Sequence, residues 1–378
     1  MTDEASVRSS AGLRQLGHVP ALDGLRGLAV LLVLLSHTQV LVPGGPTGVS
    51  IIDNVFRGGF LGVDLFFVLS GFLISALLLG EESQSGRVRF GAFYARRALR
   101  LLPALIALLA VHVMYVLIAG LPTTTEWPTV WSALFYYFNW QFVWNFQKIN
   151  SDLGHLWSLS IEEQFYILWP IVLMFGLSIR RGALAASSLL ISTIAVVSIR
   201  RHVMWDDGVA CLILFMRTDT RIDALLIGAL LASVWVRRCT PSRGVPQAAW
   251  ISVAGLVLCL GFVKPEDSFL YRGGFTLVAT LFAVLVLAVI DRAWSGGRFF
   301  TMKPLRAIGK VSYGLYLWHL PVFFAFQRHA GSWPPALRLT GAVGVTASLT
   351  LLSWYLIERP ALRLKDRLSD NVAPRAAH

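Results

Sequence analysis

The stretch Leu22-Asp-Gly-Leu-Arg-Gly-Leu-Ala-Val-Leu-Leu-Val-Leu-Leu-Ser-His37 decides the fold. It has the length and apolarity of a bilayer-crossing helix, yet it carries an arginine at its start and a histidine near its end. Arg26 and His37 are eleven positions apart, almost a whole number of helical turns, so they share a face about 16 Å apart along the axis. An ionisable group at membrane depth costs roughly 2.5–3.5 kcal/mol and lines a pathway or a reaction site. For either residue alone the plainer alternative is a snorkelling arginine or a histidine bonded inside the bundle. Together on one face they favour function.

Around that stretch, the 378 residues are 56% hydrophobic and only 14% charged, with a mean hydropathy of +0.64. Soluble domains carry about one-quarter charged residues, so the composition predicts an all-α, polytopic integral membrane protein. The formal charge of +12 lies in short clusters between apolar runs. Such clusters mark cytoplasmic loops and acidic-lipid contact, so no nucleic-acid partner is expected. Cys211, Cys239 and Cys259 have neither metal nor disulfide spacing, and no metal is expected. The first apolar run follows about twenty mostly polar residues and lacks a cleavage-like end, so no cleavable signal peptide is expected.

Runs near the ~20 residues a bilayer requires occur at about 22–41, 59–79, 98–119, 157–178, 183–199, 221–236, 247–264, 271–290, 307–327 and 337–357. Segment 128–147 is aromatic-rich but interrupted by Asn139, Gln141 and Asn145, which fits a re-entrant or interfacial helix better than a span. With ten spans and both termini cytoplasmic, 22 basic residues fall inside and 10 outside, leaving Arg26 in the membrane. An eleventh span would throw the later basic clusters outward. The pair Arg200-Arg201 is the awkward spot. The expected organisation is a tail at 1–20, a membrane domain at 21–360 and a tail at 361–378, both tails short, polar and mobile. There is no internal repeat of the kind many transporters show.

Several spans carry polar groups. Asp64 opens the second, behind Gly58, Gly59 and Gly62, and as a buried carboxylate it requires a basic partner. Ser70 and Gly71 suit tight packing and nothing more. Arg97 and Arg100 share a helix face at the mouth of the third span. They are either topogenic charge or a phosphate grip for the nucleotide end of an acyl-coenzyme A. Glu162 and Glu163 enter the fourth span about 100° apart, and periodicity leaves open which points inward. Arg221 and Asp223 open the sixth span, as an ion-pair network or as part of a site. Tyr313, Tyr316 and His319 lie in the ninth, either a packed aromatic face or donor contacts. By depth, His37, Asp64, His155, Glu162, Arg221 and Asp223 form an outer polar cluster, and Arg97 and Arg100 an inner one.

Taken together, Arg26-x10-His37, GVDLFFVLSGFLIS, RRALRLLP, HLWSLSIEEQFYILWP, TRIDALLIGALLA, SYGLYLWHLP and the closing Ile357-Glu-Arg-Pro360 resemble acyltransferase family 3. These are bacterial membrane O-acyltransferases acting on surface polysaccharides, glycolipids, peptidoglycan and macrolides. The resemblance implies transfer of an acyl group, often acetyl, from coenzyme A to a hydroxyl, in a bacterial inner membrane. It implies that Arg26 and His37 are needed for activity, that Arg97 and Arg100 are the paired arginines, and that Glu162 is the motif glutamate. No extracytoplasmic esterase-like domain, fused to some members, is expected. The compact length looks similar to the antibiotic-tailoring branch.

The mechanism expected from this has His37 as general base toward the acceptor hydroxyl, oriented by Glu162 or Asp64. Arg26 stabilises the thioester oxyanion or positions the donor. Arg97, Arg100, Tyr313 and His319 hold acyl-CoA. Direct transfer and an acyl-enzyme relay remain open alternatives. The rival class is a proton-coupled transporter or flippase using the same buried His, Asp and Glu.

Overall fold

The computed structural model describes residue 14 and residues 16–145, 152–178, 182–237, 244–292 and 294–370, and among them it contains helices and no strand. Cys239, most of the N-terminal tail and 371–378 lie outside the described residues. In chain order the helices begin with α1 (Pro20–Leu41), α2 (Ser50–Gly58), α3 (Gly62–Ser85), α4 (Phe90–Ile118), α5 (Thr123–Leu134) and α6 (Phe138–Trp144). They continue with α7 (Leu156–Ser178), α8 (Gly182–Asp206), α9 (Cys211–Met216), α10 (Thr218–Arg221), α11 (Asp223–Arg237) and α12 (Val245–Phe262). The last are α13 (Phe275–Ile290), α14 (Lys303–Lys310), α15 (Ser312–His329), α16 (Pro335–Ser353) and α17 (Arg359–Asp370).

Each of the ten apolar runs is helical. Six helical stretches are long and apolar enough to cross a membrane: Pro20–Leu41, Ser50–Ser85, Phe90–Ile118, Val245–Phe262, Leu270–Ile290 and Pro335–Leu364. This is a polytopic membrane architecture. Large apolar side chains point outward, as a lipid-facing surface requires: Phe175 is 69% exposed, Ile251 70% and Phe262 73%.

Segment 128–147 is no single rod. It falls across α5 and α6, which are separated by a break where Tyr136 takes a positive φ. Gln164 of α7 explains the break. Its amide donates to the Tyr136 carbonyl at 2.8 Å and to Asn139 Oδ1 at 2.9 Å, while Thr218 donates to its oxygen at 2.6 Å. The freed backbone group at the break is thus satisfied from a neighbouring helix.

α1 lies centrally, packed against α3, α14 and α15, and α3 runs along α11. The α3–α11 approach depends on two glycines: a Cβ on Gly71 would overlap the Leu225 carbonyl, and one on Gly228 the Val68 carbonyl. Two buried ion pairs pin the end of this pair. Arg221 reaches both Asp64 oxygens at 3.0 and 3.1 Å, and Arg201 meets Asp223 at 3.0 Å. Arg221 and Asp223 are therefore members of a structural network. The network also accounts for the awkward Arg200-Arg201: Arg201 is fully buried in it, and Arg200 pairs with Asp219 at 3.0 Å. Residues 361–370 continue as helix within α17, which packs against α4.

Candidate functional site

Two cavities open between these helices. The larger, about 550 Å³, is walled by α1, α3, α4, α7 and α15. The smaller, about 320 Å³, holds His37. Val63 and Tyr316 line both and so form the wall between them.

The larger cavity gathers charge. Arg26 from α1, Arg96, Arg97 and Arg100 from α4, and Glu81 and Glu162 line it, with Ser70, Tyr166 and Tyr313. The Arg97 guanidinium sits 3.3 Å from the Tyr166 ring centroid, and its Nε lies 3.6 Å from Glu163. Glu162 accepts from Ser70 Oγ at 2.9 Å. Tyr313 donates its hydroxyl to the Leu101 carbonyl at 2.9 Å. Four guanidinium groups against two carboxylates, behind a greasy lining of Phe66, Leu69 and Leu73, suit a ligand with phosphates at one end and an apolar arm at the other.

The smaller cavity gathers rings. His37, His155, Trp157, Phe60, Phe215 and Tyr316 line it. His319 is fully buried behind, its ring centroid 5.0 Å from those of both His37 and His155. Backbone carbonyls assign each tautomer, because a carbonyl only accepts. His37 Nδ1 donates to Val33 at 2.8 Å, His319 Nδ1 to Tyr316 at 2.7 Å and His155 Nε2 to Leu317 at 3.2 Å. Each imidazole keeps its other nitrogen as a lone pair, and those of His155 and His319 are buried without a partner. His37 Nε2 thus keeps its lone pair inside the smaller cavity.

The wall has its own hydrogen bonds. Tyr316 donates to the His155 carbonyl at 2.7 Å, so the 2.6 Å contact with Ser158 is a bond that Ser158 donates.

Four expectations need correction. Neither Glu162 nor Asp64 orients His37: Glu162 is in the arginine cavity, Asp64 lines neither cavity with both oxygens held by Arg221, and the Val33 carbonyl orients the ring. Glu162 consequently does not belong to the cluster that holds His37. His319 is in the histidine cluster, apart from Arg97 and Arg100. Ser70 does more than pack, since it bonds Glu162 and lines the cavity. Of the two glutamates whose facing periodicity leaves open, Glu162 lines the arginine cavity and Glu163 is buried beside Arg97. Arg26, Arg97, Arg100, Glu162 and Tyr313 come together as lining of one cavity, and His37 stands across the wall. Ser158 and Arg57 carry no pattern in the sequence, one being a serine within an apolar run and the other a lone arginine just ahead of one.

The family model described as "Acyltransferase domain" (Acyl_transf_3) matches residues 19–358. The chain is 34% identical over 363 residues to the putative peptidoglycan O-acetyltransferase YrhL of Bacillus subtilis (strain 168), covering 91% of this chain and 55% of that protein. It is 33% identical over 359 residues to the peptidoglycan O-acetyltransferase OatA of Listeria monocytogenes, covering 91% and 56%. It is 31% identical over 359 residues to the O-acetyltransferase OatA of Staphylococcus aureus (strain NCTC 8325 / PS 47), covering 91% and 57%. The chain thus spans a little over half the length of these relatives. No solved structure matches it.

Proposed function

The chain belongs to the Acyl_transf_3 family of acyltransferase domains, and from that premise we propose that it is a membrane O-acyltransferase moving an acyl group, acetyl first among them, from acyl-CoA to a hydroxyl of a carbohydrate acceptor. It sits in a bacterial inner membrane with ten spans and both termini cytoplasmic, an orientation supported by the basic clusters between its helices. One observation carries the reading: a cavity of arginines and a cavity containing a lone-pair imidazole share the wall made by Val63 and Tyr316.

In this reading acyl-CoA enters from the cytoplasm, its phosphates held by Arg97 and Arg100 and its arm running along the apolar lining beside Tyr313. Arg26, deeper on α1, faces the thioester and stabilises negative charge developing on its oxygen. Glu162, fixed by Ser70, balances that arginine group. The acceptor enters the histidine cavity from the opposite side. His37 Nε2 takes the hydroxyl proton, the hydroxyl oxygen bonds to the acyl carbon, and the carbon–sulfur bond breaks. The proton taken by His37 is given up again and the leaving thiolate gains one, giving free CoA, an ester and the neutral imidazole. His319 packs against His37 and holds its ring in place.

The test is thiol release from acetyl-CoA by purified protein with and without a saccharide acceptor. Acceptor-dependent release, lost in His37→Ala, supports the reading. Absence of release under all acceptors, with gradient-driven flux in liposomes, replaces it by the transporter class.

A further inference from the structure

Arg57 closes α2 and lines the histidine cavity with His37, Trp157 and Phe215. Its situation differs from that of the ion-paired arginines in the molecule. Arg201 meets Asp223 at 3.0 Å, Arg217 meets Asp219 at 2.7 Å, Arg221 meets Asp64 at 3.0 Å, Arg272 meets Asp206 at 2.8 Å and Arg328 meets Asp152 at 2.5 Å. Among the described residues Arg57 has no carboxylate within ion-pair distance, and its Nε is buried without an acceptor.

The acids nearby do not serve it. Asp53, one turn back on the same helix, is taken by the Thr47 backbone N–H at 3.1 Å and the Thr47 hydroxyl at 2.9 Å. Glu266 and Lys264 both line the cavity and both are exposed, one negative and one positive, and neither forms an ion pair with Arg57. One guanidinium is left over, half-buried beside the proton-accepting imidazole. A partly desolvated cation without a partner is costly, and its planar fork matches the paired oxygens of a carboxylate or phosphate. Trp157 and Phe215 add apolar lining to the cavity.

We propose that the acceptor carries an oxyanion, carboxylate or phosphate, that Arg57 grips so as to hold the reacting hydroxyl at His37. The substrate is then an acidic saccharide, and Arg57 selects it over a neutral one. This rests on the reading of the histidine cavity as the acceptor site.

Calorimetric titration of the whole protein in detergent, without CoA, reads the preference directly. The probes are N-acetylglucosamine, N-acetylmuramic acid and N-acetylglucosamine 1-phosphate. A charged probe binds at least about tenfold more tightly than the neutral one, about 1.4 kcal/mol. Arg57→Gln erases that ratio, and Arg57→Lys restores part of it as a point charge without the fork. Preference for the muramic acid alone assigns the oxyanion to a sugar carboxylate, and preference for the 1-phosphate alone assigns it to a phosphate linkage. Equal binding of all three, binding of none, or a ratio that survives Arg57→Gln overturns the proposal. The unaltered protein already decides the first two of these, whatever the variants' folding. Acceptor-dependent thiol release from the same preparation separates the two claims. Lost preference with release intact sinks the Arg57 assignment alone, and preference without release sinks the transferase alone.

Discussion

The two cavities handle charge in opposite ways. On the arginine side, four guanidinium groups converge and their counter-charges, Glu81, Glu162 and Glu163, come from α3 and α7, so binding strength is assembled from side chains. On the histidine side the rings are fixed by main chain: Val33, Leu317 and Tyr316 carbonyls each hold one imidazole nitrogen. On the proposed reading the first cavity grips, which tolerates adjustable side chains, and the second transfers a proton, which requires a fixed tautomer held by backbone carbonyls. The contrast also locates structural charge. Asp64–Arg221 and Asp223–Arg201 belong to neither cavity.

That division can be broken in order of expected effect. His37→Ala should lower the turnover number about 10²–10⁴-fold while calorimetric affinity for acetyl-CoA is unchanged; loss of both together would merge the two cavities into one function. Asp64→Ala should instead act on the fold, since removing one partner of a buried pair costs about 3–5 kcal/mol, read as a lower melting temperature in detergent. A purely kinetic defect with unchanged melting would return Asp64 to the chemistry. Arg97→Ala and Arg100→Ala should each raise KM for acetyl-CoA about 10- to 100-fold, the equivalent of a charged hydrogen bond of about 1.5–3 kcal/mol, leaving affinity for the acceptor alone. Tyr316→Phe removes the hydroxyl that ties the wall to His155 and Ser158, and should raise acceptor-independent thiol release several-fold; an unaltered background would show that Val63 alone seals the wall. The smallest effect concerns Asp219, outside the spans. Burial pulls its carboxyl up, but hydrogen bonds and charge from Arg217 and Arg200 outweigh this and hold it below the ordinary aspartate value of about 3.9. Its contribution to stability is therefore present above that value and lost as pH falls through its own lower one. Asp219→Asn should flatten the acid limb of the melting curve slightly.

Helical content was legible in the sequence because apolar length alone signals it, though run 307–327 is divided between α14 and α15. The 128–147 segment was legible as an interruption, though not that Gln164 holds the break open. Within the site, residue types were readable and their grouping was not. Glu162 and His37 fall at similar apparent depths when spans are counted from their ends, yet they line different cavities, a grouping set by helix packing that no single run reveals. Ser70 hides for the same reason, since one hydroxyl in an apolar run reads as packing until its carboxylate partner comes from 92 residues away.

The partition by Val63 and Tyr316 has a bearing on transport as well as on catalysis. On the proposed reading, coenzyme A stays at one surface and the saccharide at the other, and only a fragment of a few atoms is exchanged between them. A cell with such a device decorates its exterior without exporting the activated carrier and without a pore for ions to leak through.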